Sequence, residues 1–94
     1  MTITQLKYVL AVAEYKNFTV AAEHSFVTQP TLSMQIQKLE DQLNVQIFNR
    51  SKKPIEITEV GKKVIEQAKI IVDESNRILD IVHQHKGYVG GEFK

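Results

Sequence analysis

The sequence predicts a mainly helical fold with a small two-stranded sheet and one long terminal helix. Three observations predict it. Apolar residues recur every three or four positions through most of the chain. The period falls to two only near 47–50 and 55–57. From Glu59 to about His85, an apolar pattern with heptad spacing runs to a glycine-rich stretch.

Each element has its own signals. Ile3, Leu6, Val9, Leu10 and Ala13 mark one apolar helix face, and Thr2 with Gln5 has the spacing of a capping box. This first helix is expected to end near Tyr15, where Lys16-Asn17 interrupts the pattern. A short second helix fits 20–25, capped by Thr19, and its small Ala21 and Ala22 let another helix cross closely. Thr28 can cap a third helix, and Pro30 is tolerated in its first turn because the missing N–H has no helical partner there. Leu32, Ile36, Leu39 and Leu43 form its apolar face, opposite Thr31, Ser33, Met34, Gln35, Gln37 and Lys38. A short helix, a turn and a longer helix over about 18–41 make the layout of a helix-turn-helix.

Residues 47–50 and 55–57 then read as short strands joined by Ser51-Lys52-Lys53-Pro54, a basic wing. Thr58 caps the long helix, expected over 59–85 and about 40 Å in length. Val64, Ala68, Ile71, Ser75, Ile78 and Val82 follow alternating steps of four and three, and Ile65, Val72 and Leu79 form a neighbouring stripe. Three apolar positions in seven exceed a two-stranded seam, so one stripe is expected on its own domain and the other against a second copy. Ser75 lowers the apolar yield of that seam. The expected organisation is thus a winged helix-turn-helix at 1–58, a dimerising linker helix at 59–86, and a hinge at 87–94. Gly87, Gly90 and Gly91 break the helix there, and Glu92-Phe93-Lys94 resembles the start of a strand, so the segment reads as a linker into something further.

Composition excludes several function classes. Ninety-four residues suit one small domain, and 43% apolar with 24% charged residues is ordinary for a globular chain. With no cysteine, disulfides, thiolate catalysis and iron–sulfur clusters are out of reach of these residues. No apolar run approaches the ~18 residues of a membrane span, and the start lacks a secretion-signal pattern, so an intracellular, cytoplasmic location is expected. His24, His83 and His85 suggest no metal site, Glu40-Asp41 diverge on a helix, and Ser25, Ser33 and Ser51 lack a His/Asp constellation. No enzyme activity, metal or cofactor is expected. Net charge is only +1, but Arg50, Lys52, Lys53, Lys62 and Lys63 gather against Glu56 and Glu59, a cluster able to meet phosphates.

Taken in order, these residues resemble a known family. Phe18-Thr19-Val20-Ala21-Ala22, the run from Val27 to Glu40, Leu43, Ile47-Phe48-Asn49-Arg50 and Ile57-Thr58-Glu59-Val60-Gly61 are similar to the N-terminal domain of LysR-type transcriptional regulators. Gln29-Pro30-Thr31-Leu32-Ser33 with Lys38-Leu39-Glu40-Asp41 resembles the family's peroxide-sensing members in particular. The resemblance implies a DNA-binding regulator, an activator under oxidative stress in the peroxide-sensing case, that binds an interrupted palindrome as a homodimer. It further implies that 87–94 is a hinge into an effector-binding domain and that the full-length protein forms tetramers, with an effector that the sequence does not disclose.

Physical chemistry agrees with that implication residue by residue. Gln29 can bond an adenine edge in bidentate fashion, and Pro30 or Thr31 can touch a thymine methyl. Thr28, Ser33 and Lys38 suit phosphate, with a base as the alternative for Ser33. Met34 stands where the family often has a polar or basic residue, and offers apolar contact to thymine methyls. Arg50 and Lys53 match wing positions expected near phosphate and the minor groove, where A/T-rich narrowing attracts cations. Val64, Ala68, Ile71, Ser75, Ile78 and Val82 are the expected dimer interface. The alternative reading is a helix-mediated interaction module without DNA binding.

Overall fold

Helix α1 (Ile3–Tyr15) begins with the expected capping box. The Gln5 amide donates to Thr2 Oγ1 at 3.0 Å, and the Thr2 amide donates to Gln5 Oε1 at 3.0 Å. The computed structural model describes the backbone of residues 1–90 and the side chains of residues 1–86. Lys16 closes α1 in the left-handed region at φ 50°, which turns the chain directly into α2 (Phe18–His24). That second helix starts earlier than the sequence suggests. Asn17, rather than Thr19, is its cap, and Asn17 Oδ1 accepts from the Val20 amide at 2.9 Å. The earlier start brings Phe18 edge-on against Phe48, centroids 6.0 Å apart.

Helix α3 (Gln29–Leu43) is capped by Thr28, carries Pro30 in its first turn, and ends at left-handed Asn44. Strands β1 (Phe48–Asn49) and β2 (Glu56–Ile57) pair antiparallel, Phe48 opposite Ile57 and Asn49 opposite Glu56. They are shorter than expected: the Ile47 amide leaves the ladder and donates to Glu40 Oε2 at 2.7 Å, while its carbonyl still accepts from the opposing Thr58 amide at 2.9 Å. The Lys53–Pro54 peptide in the wing is cis.

Leu32, Ile36 and Leu39 of α3 meet Val9 and Val12 of α1 and Ile47 and Phe48 near the wing, all fully buried. Ala21 and Ala22 are buried as well, so α2 can lie close against its neighbours. Helix α4 (Glu59–Gly90) joins this core through Ile65, Ala68 and Val72. Its start is locked. Thr58 Oγ1 accepts from the Gly61 amide at 3.0 Å and donates to the Gln46 carbonyl at 2.6 Å. Gly61 lies so near the Ile47 carbonyl oxygen that a Cβ there would collide with it.

The 32 residues of α4 make a rod about 48 Å long. It stretches the molecule to 56 × 24 × 20 Å and raises the radius of gyration to 16.3 Å, against about 12 Å for a compact chain of this length. Two expectations about this helix need correction. It passes Gly87 and continues to Gly90 instead of breaking at the hinge, because a glycine weakens a helix by only about 1 kcal/mol relative to alanine. Ala68, placed in the expected dimer seam, is 1% exposed within its own protomer, since the wide apolar arc of α4 turns that position into the core. The strand expected to open at 92–94 lies outside the described residues. No helix among the described residues is long and apolar enough to cross a membrane.

Candidate nucleic-acid interface

The N-terminal half of α3 presents a polar face because its apolar side is consumed by the core. Thr28, Pro30, Thr31, Met34 and Lys38 are exposed, while Gln29 and Ser33 are half-buried. Thr28 holds the helix start twice over. Its Oγ1 accepts from the Thr31 amide at 3.3 Å and donates to Thr31 Oγ1 at 2.9 Å. One turn further on, Gln35 Oε1 accepts from Gln5 Nε2 at 3.1 Å, which ties α3 to the capped end of α1.

The fold brings Gln29 to the wing. Both Gln29 and Lys53 line one open cleft of ≈ 470 Å³, together with Lys16 and Thr19. An adjoining hollow of ≈ 580 Å³ is bordered by Lys16, Lys52, Lys53 and Lys62. Lys62 also faces exposed Glu59 at 3.3 Å, a surface pair of little energetic weight. Of the basic cluster seen in the sequence, Lys52, Lys53 and Lys62 therefore border a concave surface beside α3, and Lys16 belongs to it. Sequence reasoning missed Lys16 because it lies far from the cluster in the chain and stood out only as a helix end.

Arg50, expected near phosphate and the minor groove, is engaged by its own chain. Its Nη2 meets Glu40 Oε1 at 3.3 Å, its Nη1 donates to Ser33 Oγ at 3.1 Å, and its guanidinium lies 4.6 Å over the Phe18 ring. Glu40 is 4% exposed and also accepts the Ile47 and Phe48 amides at 2.7 and 3.2 Å. A buried carboxylate is tolerable only when partnered in this way. Read from the sequence, Glu40 was one of two diverging carboxylates, and nothing nearby in the chain indicated its burial.

Phe26 is the other residue the sequence did not single out. It stands 94% exposed in the turn between α2 and α3, with a left-handed backbone at φ 59°. Of the expected dimer seam, Val64, Ile71 and Ser75 are half-buried, and Ile78 and Val82 are exposed. Val64, Ala68 and Ile71 edge an apolar groove shared with Leu6 and Leu43. Ser75 Oγ donates to the Val72 carbonyl at 2.7 Å, so its polarity is satisfied inside its own helix.

Comparison with known proteins agrees with this architecture. Residues 3–62 match the profile of the bacterial regulatory helix-turn-helix protein, lysR family. The hydrogen peroxide-inducible genes activator of Pectobacterium carotovorum subsp. carotovorum is 36% identical over 91 residues, covering 97% of this chain and 30% of that protein. A full-length OxyR structure from Pseudomonas aeruginosa superposes with a TM-score of 0.87 at 40% identity, covering 92% of this chain and 29% of that one. The CbnR DNA-binding domain in its DNA complex superposes with a TM-score of 0.82 at 38% identity, over 90% of this chain and 98% of that one. The chain thus spans about 30% of the length of its full-length relatives.

Proposed function

The chain belongs to the lysR family of bacterial regulatory helix-turn-helix proteins, and from that premise we propose that it is the sequence-specific DNA-binding part of a transcription regulator. One observation carries the reading: the solvent-facing start of α3 and the basic wing share a single cleft through Gln29 and Lys53. A duplex whose major groove receives α3 meets Thr28, Gln29, Pro30, Thr31, Ser33, Met34 and Lys38, while Lys53 and Lys16 meet its backbone. Arg50 supports this surface from within.

Two copies joined through α4 make the second DNA engagement intramolecular and raise affinity without new contacts. The exposed Ile78 and Val82, continuous with the groove at Val64 and Ile71, support pairing of this helix with a second copy. The two reading helices then meet half-sites about one helical turn apart, or a multiple of it, hence an interrupted palindrome. We assign the regulator to the cytoplasm, with the DNA. In a longer protein the module serves a peroxide-responsive activator, a reading supported by its likeness to peroxide-inducible activators. Thiol chemistry for that response would reside outside these cysteine-free residues.

Fluorescence anisotropy with duplexes selected from a randomised pool tests the proposal. Gln29→Ala relaxes base preference, and Lys53→Ala lowers the salt slope by about 1 with little effect on preference. Uniform affinity for every duplex would remove sequence specificity, and no affinity for any duplex would favour an interaction module built on α4.

A further inference from the structure

We propose that Arg50 is a positioning residue that commits the Ser33 hydroxyl to donate a hydrogen bond to a base edge in the major groove. The inference rests on the DNA-binding reading above and adds a specificity role to it. A serine hydroxyl has one donor and two acceptor lone pairs, and its hydrogen turns to suit its partners. A guanidinium can only donate. With Arg50 Nη1 donating to Ser33 Oγ at 3.1 Å, one lone pair is occupied and the hydroxyl hydrogen is directed away from Arg50.

A helical serine normally has another outlet, the carbonyl one turn back. Ser75 takes such an outlet, donating to Val72 at 2.7 Å. Ser33 makes no such bond among the described residues, so its hydrogen remains for a partner beyond the protein. Ser33 follows Gln29 by four residues, one helical turn along the same face. A donor there selects purine N7, guanine O6 or thymine O4 over the amino groups of adenine and cytosine.

The rest of the cluster explains why arginine is needed. Glu40 is anchored by the Ile47 and Phe48 amides and fixes Nη2, while the Phe18 ring supports the guanidinium plane. The planar fork spans Glu40 and Ser33 at once. A lysine ammonium keeps the charge but lacks the fork and its stacking face. This separates the role from a phosphate contact, which lysine can maintain.

The test uses a duplex that the chain itself selects from a randomised pool, together with single-base-pair variants of it. Arg50→Lys and Ser33→Ala each lose about tenfold preference at the same base pair, and the double variant loses no more than either alone. The salt slope of Arg50→Lys stays at the wild-type value. Preference retained in Arg50→Lys, or affinity lost evenly across all variants, overturns the proposal. Thermal melting reports whether Arg50→Lys is folded. Should it not fold, Ser33 decides: preference lost in Ser33→Ala and kept in Ser33→Thr is expected, and equal preference in both overturns the role. A wild-type chain that selects no sequence would remove the DNA-binding reading itself, whereas a selective wild type with an equally selective Arg50→Lys removes only this inference.

Discussion

Ile65 and Leu79 lie on the same stripe of one helix, two heptads apart, yet the first is 7% exposed and the second 56%. Up to Val72, α4 packs on α1 and the core. Beyond it Ile78, Leu79, Ile81 and Val82 project past the domain into solvent. An apolar pattern therefore states that a face will be covered without saying by what. The first half of α4 is covered by its own chain, and the second half requires another surface. Repetition in the sequence conceals a division of labour between holding the domain together and carrying an apolar stripe beyond it.

Substitutions on the two sides of that division should behave differently. Ile65→Ala is expected to cost about 3 kcal/mol of unfolding free energy, independent of protein concentration, measured by urea denaturation at two dilutions. Equal sensitivity at Ile78 in the same assay would erase the distinction. Gly61→Ala, at the junction where α4 meets the Ile47 carbonyl, should cost about 2 kcal/mol and lower the thermal midpoint without changing self-association.

On the projecting half, Ile78→Ala with Val82→Ala should leave the unfolding of dilute protein within about 0.5 kcal/mol of wild type. The same pair should weaken self-association by about 1–2 kcal/mol per side chain, seen by sedimentation equilibrium. An unchanged association constant would show that this stripe is not the covered one. The smallest effect is expected at Phe26, outside both halves. Phe26→Asn should gain about 0.5–1 kcal/mol, because asparagine tolerates the left-handed backbone better and no buried contact is lost. A destabilised Phe26→Asn would mean that the ring makes a contact its exposure conceals.

Much of the fold could be read from the chain because the signals were local. Thr2 with Gln5, Thr28 with Pro30, and Thr58 before the long helix all act within three residues, and each caps its helix as expected. Sequence and structure part where local signals compete. Thr19 and Asn17 are both good caps, and the left-handed turn at Lys16 decided for Asn17. The strands were overextended because alternation around Ile47 and Arg50 does not show that Glu40 takes the backbone amides. The polar face of α3 was legible from its spacing, but the company kept by each residue on it was not.

Periodicity and hydrogen bonds closed within a turn or two make the four helices, the caps of α1, α3 and α4, the wing and the outward side of α3 readable from the chain alone. Packing between distant segments is what sets Lys16 beside Gln29 and Lys53, turns Ala68 into the core, and engages Arg50 with Glu40 and Ser33. Those outcomes depend on the path between elements. A side chain's charge and polarity are local properties; the partner that satisfies them is chosen by how distant segments pack.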